Sequence, residues 1–200
     1  MSEQPQVTVG RPRDPELDTS ILEAAREMLL ECGYGGVTME GVARRAGVGK
    51  ATVYRRWRSK PLLVYDAFFS QARSRMKPST GSLSDDLRHL IKREMELYRT
   101  PGALDAVMGL LSDFSSHPDV EKKLRERFFR PDRSEAVSIL EEGARAEGVE
   151  LDLPIDLIVD AFTGALFVRS TLQRKPLDAK YARQLLRLML EGAGLGDAED

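Results

Sequence analysis

Cysteine is almost missing from this chain. Cys32 stands alone, so it can form no internal disulfide and cannot complete a zinc site. Histidine is nearly as scarce: His89 and His117 belong to no His-Glu-x-x-His or Glu-x-x-His pair. Asp86 and His89 share a helix face, but two groups do not make a metal site, so no metal and no cofactor is expected. Long apolar runs are absent as well, and none approaches the roughly 20 residues that a membrane span needs. The first residues are polar and proline-rich, without the apolar stretch of a secretory signal. These absences predict a soluble protein of the reducing cytoplasm. No nucleophile–base constellation is discernible, so no catalytic residue is assigned and no enzyme is expected. Asparagine is missing altogether and arginine outnumbers lysine, which decides nothing about function.

What is present is a chain of 200 residues, 42% hydrophobic and 31% charged, enough to bury a core unaided. The net charge of −2 is unevenly spread. Arg44, Arg45, Lys50, Arg55, Arg56, Arg58 and Lys60 crowd into one short segment whose only acid is Glu40, and the rest is acidic in compensation. Such a patch concentrates positive potential where an anionic polymer would dock. A solvated helix face is the plain alternative.

Helical periodicity dominates from Asp18 onward, and residues 1–16 read as a disordered basic arm. Ile21, Leu22, Ala25, Met28, Leu29 and Cys32 line one helix, which Gly33 stops. Cys32 reads as a small buried residue closing that helix rather than as a redox sensor. Thr38 can cap a second short helix carrying Met39, Val42, Ala43 and Ala46, with Val48 as the buried plug of the turn after Gly47. A third helix spans about Lys50 to Trp57. Ser59 caps a fourth, with Leu62, Tyr65, Phe69, Ala72 and Met76 as one apolar stripe. Lys77–Ser82 reads as a linker. The expected division is therefore 1–16, 17–76 and 83–194. Beyond the linker, Pro101, Pro118, Pro131, Pro154 and Pro176 mark loop-to-helix junctions. No period-two run is long enough for a sheet. The fold class is all-α, about nine helices, with an N-terminal three-helix helix-turn-helix domain and a C-terminal helical domain.

Thr38–Lys60 carries the chemistry. Two short helices are joined by a turn containing Gly47, the layout of a helix-turn-helix. Val53 and Trp57, four apart, point at the core. Ala51, Thr52 and Arg55 then face away, flanked by Lys50 and Tyr54 on one side and Arg56 on the other. Guanidinium groups suit guanine, small apolar groups suit the thymine methyl, and hydroxyls suit phosphates. Gly47-Val-Gly-Lys-Ala-Thr52 is also like half of a phosphate-binding loop. Arg44 stands where that loop needs its first glycine and Ala51 where it needs a hydroxyl, so that reading is set aside.

The run Thr-x-x-x-Val-Ala-x-x-Ala-Gly-Val-x-x-x-Thr-Val-Tyr-x-x-Trp-x-Ser-Lys, with the preceding helix and Gly-Tyr-Gly-Gly turn, resembles the DNA-binding domain of the TetR family over about residues 18–65. The resemblance implies that Thr38, Thr52, Tyr54 and Lys60 contact phosphates and that Lys50, Ala51, Arg55 and Arg56 lie at base edges. It implies backbone amides at Ser59-Lys60 aimed at one phosphate. Two positions depart from the pattern: Gly49 stands where a capping serine is frequent, and Glu40 lies near the expected DNA surface. Arg11 and Arg13 form a short basic arm that suits a narrow minor groove.

Leu153–Leu177 is similar to the penultimate helix of one TetR subgroup. The last two long helices are expected to build a homodimer interface, with Ala161, Gly164 and Ala165 allowing close approach and Leu185, Leu186, Leu188, Met189 and Leu190 supplying apolar surface. A small-molecule effector is expected among Met95, Tyr98, Met108, Leu111, Phe114, Phe128, Phe162 and Phe167, with simple core packing as the plain alternative for each. The function implied is a sequence-specific regulator that binds double-stranded operator DNA, most simply a repressor released by its effector. The alternative is an all-helical enzyme or ligand carrier that does not bind DNA.

Overall fold

The computed structural model describes residues 15–73, 78–116 and 118–194. The arm residues Arg11 and Arg13 lie outside them. Every regular element among the described residues is helical, with no strand. In chain order the helices are α1 (Pro15–Gly36), α2 (Met39–Arg45), α3 (Lys50–Arg56), α4 (Lys60–Arg73), α5 (Leu83–Arg99), α6 (Ala103–Ser116), α7 (Pro118–Leu124), α8 (Arg130–Glu147), α9 (Ile155–Phe167) and α10 (Ala179–Gly192). The all-α expectation holds, and ten α-helical segments stand among the described residues where about nine were expected; α7 and α8 are two stretches of one continuous run. The π-helical turn Arg125–Phe129 joins them with right-handed helical dihedrals at Leu124 and Phe129. Pro131 therefore lies inside a continuous rod, not at the loop junction expected for it. The Arg130 N–H reaches back to the Arg125 carbonyl, widening the turn just before a ring that a regular α-turn would not accommodate. A second π-turn, Val168–Leu172, extends α9.

Local capping explains most boundaries. Gly33 interrupts α1 with φ 69° and ψ 174°, as its position in the periodicity foretold. Ser82 and Asp178 cap α5 and α10 through their side chains. Ser59 does not act as expected. Its carbonyl accepts from the Leu63 N–H at 3.2 Å, but its Oγ is buried without a hydrogen-bond partner. Cys32 is exposed and hydrogen-bonds the Met28 carbonyl, so it does not close the helix from inside.

Two apolar cores organise the chain. The first unites α1, α2, α3 and α4 with Ala103, Ala106 and Leu110 of α6 and Leu124 of α7. The second unites α5, α8, α9 and α10 around Leu87, Ile91, Leu140, Phe162 and Leu166. Helix α4 is not the one-sided amphipathic helix that its stripe suggests. Leu62, Leu63, Val64, Tyr65, Ala67, Phe68 and Phe69 are all buried, because α1 and α6 pack on it from different sides. The Pro78–Gly81 segment is tied down by the buried Asp86 carboxylate. It accepts from Ser79 Oγ at 2.5 Å, Thr80 N at 2.7 Å and Thr80 Oγ1 at 2.8 Å. Gly143 makes room for that carboxylate, since a Cβ there would press against it.

Leu140 is fully buried at the centre of the second core. Leu140→Ala should lower unfolding free energy by about 2–5 kcal/mol, through lost transfer energy and the cavity left behind. A fall in the urea midpoint at unchanged slope checks it.

Candidate nucleic-acid interface

Helices α2 and α3 form the candidate site. The Thr38 Oγ1 accepts from the Gly41 N–H at 3.0 Å and starts α2. Gly47, at φ 67°, lets the chain reverse, and the Val48 N–H returns to the Ala43 carbonyl at 2.9 Å. Val48 is half-buried against the first core, so it plugs the turn incompletely. Helix α3 begins at Gly49 without a side-chain cap, as the missing serine implied. Val53 and Trp57 are buried, and the indole N–H donates to Asp66 of α4 at 2.7 Å.

The outward face is less uniform than the sequence pattern suggests. Lys50, Ala51, Tyr54 and Arg55 are exposed, and Thr52 is half-buried. Arg56 belongs elsewhere. Its side chain is 9% exposed and its Nε is ion-paired with Asp18 of α1. Placed three residues after Val53 and one before Trp57, it shares their inward side and ties α3 to α1. Lys60 is half-buried too. Its ammonium donates to the Tyr34 carbonyl at 3.0 Å and sits 4.1 Å from the Tyr34 ring centroid.

Glu40 is not a loose anion in this arrangement. It is ion-paired with Lys50 and accepts from the Tyr54 hydroxyl at 3.4 Å. The Lys50 hydrogen bond holds the Glu40 carboxyl below the ordinary range, and the same bond raises the Lys50 ammonium. The pair is therefore lost only as pH falls through the lowered carboxyl value or rises through the raised ammonium value, and it persists at neutral pH. Arg45 likewise faces Glu27 at 3.7 Å and pairs with Glu31 of α1. Asp18, Tyr34 and Asp66 escaped the sequence reading because their partners lie far off in the chain and no local pattern announces them.

The family comparisons bear on this geometry directly. Residues 21–64 match the model described as bacterial regulatory proteins, tetR family, and residues 77–189 match the tetracyclin repressor-like C-terminal domain. The uncharacterized HTH-type transcriptional regulator YdeS of Bacillus subtilis (strain 168) is 32% identical over 185 residues, 92% of each chain. The chain belongs to the TetR family. The crystal structure of the TetR family transcription regulator SCO0332 superposes with a TM-score of 0.72 at 27% identity, covering 88% of this chain and 98% of that one. The fold also matches Bacillus subtilis FadR, solved in complex with stearoyl-CoA, with a TM-score of 0.65 at 18% identity over 87% and 98% of the two chains. As a TetR-family member the chain is a DNA-binding transcriptional regulator. Among the described residues no helix is long and apolar enough to cross a membrane.

The side chains expected to line a TetR effector site do not all turn inward. Met95 and Phe162 are buried in the second core, and Tyr98, Phe114 and Phe167 are half-buried. The Phe128 side chain lies outside the description. Met108 and Leu111 are 44% and 38% exposed. Helix α6 buries Ala103, Ala106 and Leu110, and Leu104, Met108 and Leu111 fall on its other side at the same three-and-four spacing. The sequence reading missed Glu94 beside Tyr98. Burial pushes its carboxyl up, with a further push from Asp132, against Arg93 at 3.9 Å. Burial and the Glu94 charge in turn push the Tyr98 hydroxyl up.

Removing the anion that occupies Lys50 should be visible in binding. Glu40→Gln is expected to tighten duplex DNA binding at low salt. It should steepen the slope of log K against log salt by about one, as one more unpaired cation displaces counterions from the duplex. Fluorescence anisotropy over a salt series measures both.

Proposed function

We propose that the chain is a homodimeric cytoplasmic repressor that acts by binding and not by catalysis, and that a small effector releases it from operator DNA. The observation that carries this reading is α3 itself. It is anchored by buried Val53 and Trp57 and presents Lys50, Ala51, Tyr54 and Arg55 outward. In this reading Arg55 reads a guanine edge, Ala51 meets a thymine methyl, and Lys50 joins them once Glu40 lets go. Thr38, Thr52, Tyr54 and Lys60 hold phosphates, and these contacts set the register. Arg56 keeps α3 aligned with α1. The 17–76 segment is the part that meets DNA, and 83–194 the part that dimerises and receives the effector.

Helix α9 supports the homodimer. Leu157, Ala161, Gly164, Val168 and Leu172 follow one another at three-and-four spacing and are all exposed, with Leu172 at 64%. A Cβ at Gly164 would meet nothing within 4 Å, so this small residue leaves a smooth seat for another helix. On α10, Leu188 is 59% exposed, whereas Leu185 and Leu190 are spent on the core. Two such copies would place their α3 helices in successive major grooves about 34–36 Å apart. The effector site draws on Met95, Tyr98, Phe114, Phe162 and Phe167, and the shift it drives is bounded by its differential affinity for the two dimer states.

Selection from a random duplex library followed by salt titration tests the reading. A two-fold-related site bound with steep salt dependence is expected, and equal affinity for all duplexes would refute it. On the selected site Arg55→Ala should cost about 1–3 kcal/mol and relax preference at one base pair. A uniform loss on every sequence would reassign Arg55 to phosphate. Leu188→Glu should shift the protein toward monomer in sedimentation velocity, and an unchanged dimer would remove α10 from the interface.

A further inference from the structure

We propose that Tyr34 is a positioning residue. It seats Lys60 for its phosphate and carries the position of α6 to that contact. The inference rests on the reading of Lys60 as a phosphate ligand.

Tyr34 lies in the last turn of α1, directly after the break at Gly33, whose positive φ swings its backbone toward α6. Helix α6 receives it along one face. The Tyr34 N–H donates to Asp105 Oδ2 at 2.6 Å, and the Tyr34 hydroxyl donates to Asp113 Oδ2 at 2.5 Å. Between them the ring lies flat on Gly109, where any Cβ would overlap it. Asp105, Gly109 and Asp113 are four residues apart in turn, so they form one stripe that grips Tyr34 at both ends and across its middle. Burial and the Asp113 bond both push the phenol pKa up, so the hydroxyl stays a donor at any physiological pH.

The opposite side of the same residue holds Lys60. The Tyr34 carbonyl accepts from the Lys60 ammonium at 3.0 Å, and the ring face lies 4.1 Å from it. Lys60 opens α4, directly after the Trp57–Ser59 segment that leaves α3. The ammonium is thus placed by two atoms groups of one residue, and that residue is placed by α6. A slide or rotation of α6 carries Asp105 and Asp113 with it, and Tyr34 must follow or lose one of its two bonds. Either outcome moves the cation away from its seat. The contacts that α6 makes with the first core through Ala103, Ala106 and Leu110 are apolar and non-directional. The Tyr34 bonds are directional, so they report displacement most sharply.

The test is a double-mutant cycle with a labelled duplex carrying the selected site, over a salt series, using the full-length protein. Lys60→Met, Tyr34→Phe, Asp113→Asn and the combinations with Lys60→Met are compared, with melting temperature as the folding control. Lys60→Met should weaken binding and lower the salt slope by about one. Tyr34→Phe and Asp113→Asn should each weaken binding severalfold and flatten the slope while the protein remains folded. Neither should add to the loss already caused by Lys60→Met. Full multiplicative losses in the double variants would overturn the coupling and leave Lys60 a phosphate ligand. Unchanged binding by Lys60→Met would overturn the phosphate reading and the coupling with it. Asp113→Asn keeps the ring on Gly109, so it decides the matter even if Tyr34→Phe melts early.

Discussion

The burial of Val53 and Trp57 is the constraint on which the interface depends. Helix α3 is two turns long and has no side-chain cap, so its own hydrogen bonds cannot hold it together in water. Its stability comes from those two side chains entering the first core and from the indole bond to Asp66. Arg56 adds a directional tie to Asp18 on the same inward side. A helix fixed on one side by packing and an ion pair has a defined rotation about its axis. That rotation decides which residues are left to face DNA.

Around this helix, charged groups are held in place rather than left loose. Lys50 is paired with Glu40, Arg45 with Glu31 and Arg56 with Asp18, and Lys60 is seated on Tyr34. The exposed pairs among these, Lys50–Glu40 and Arg45–Glu31, contribute little to folding stability because water screens them. Their consequence is competitive: any anion that approaches Lys50 must displace the Glu40 carboxylate, whereas Arg55 is exposed. The basic patch is therefore graded: Arg44, Arg55 and Arg58 are exposed, whereas Lys50, Arg45, Arg56 and Lys60 are each held by a neighbour.

The first core does not end where the chain crosses from 17–76 into the later helices. Ala103, Ala106 and Leu110 of α6 and Leu124 of α7 complete it. An apolar surface shared between α1, α4 and α6 means that displacing α6 disturbs the packing that supports α3. The π-turn before Pro131 shows the same economy of chain. A helix that would otherwise break is carried on as one rod toward α5 and α9, which it must span to close the second core.

Much of this was legible in the residue order. Thr38 as cap, Gly33 and Gly47 as breaks, the buried pair Val53 and Trp57, and the outward Ala51 and Arg55 all follow from short-range geometry, where spacing dictates which face a side chain takes. The inward turn of Arg56, the occupation of Lys50 by Glu40, the exposure of Cys32, Met108 and Leu111 and the all-round burial of α4 were not legible. Each depends on which other helix happens to lie alongside, and a charge or a methyl group in the chain carries no record of a partner tens of residues away. Local order thus determined the helix-turn-helix and its anchors. Only the packing of α1, α4 and α6 against it decided which cations are free, because burial and pairing are properties of neighbours in space.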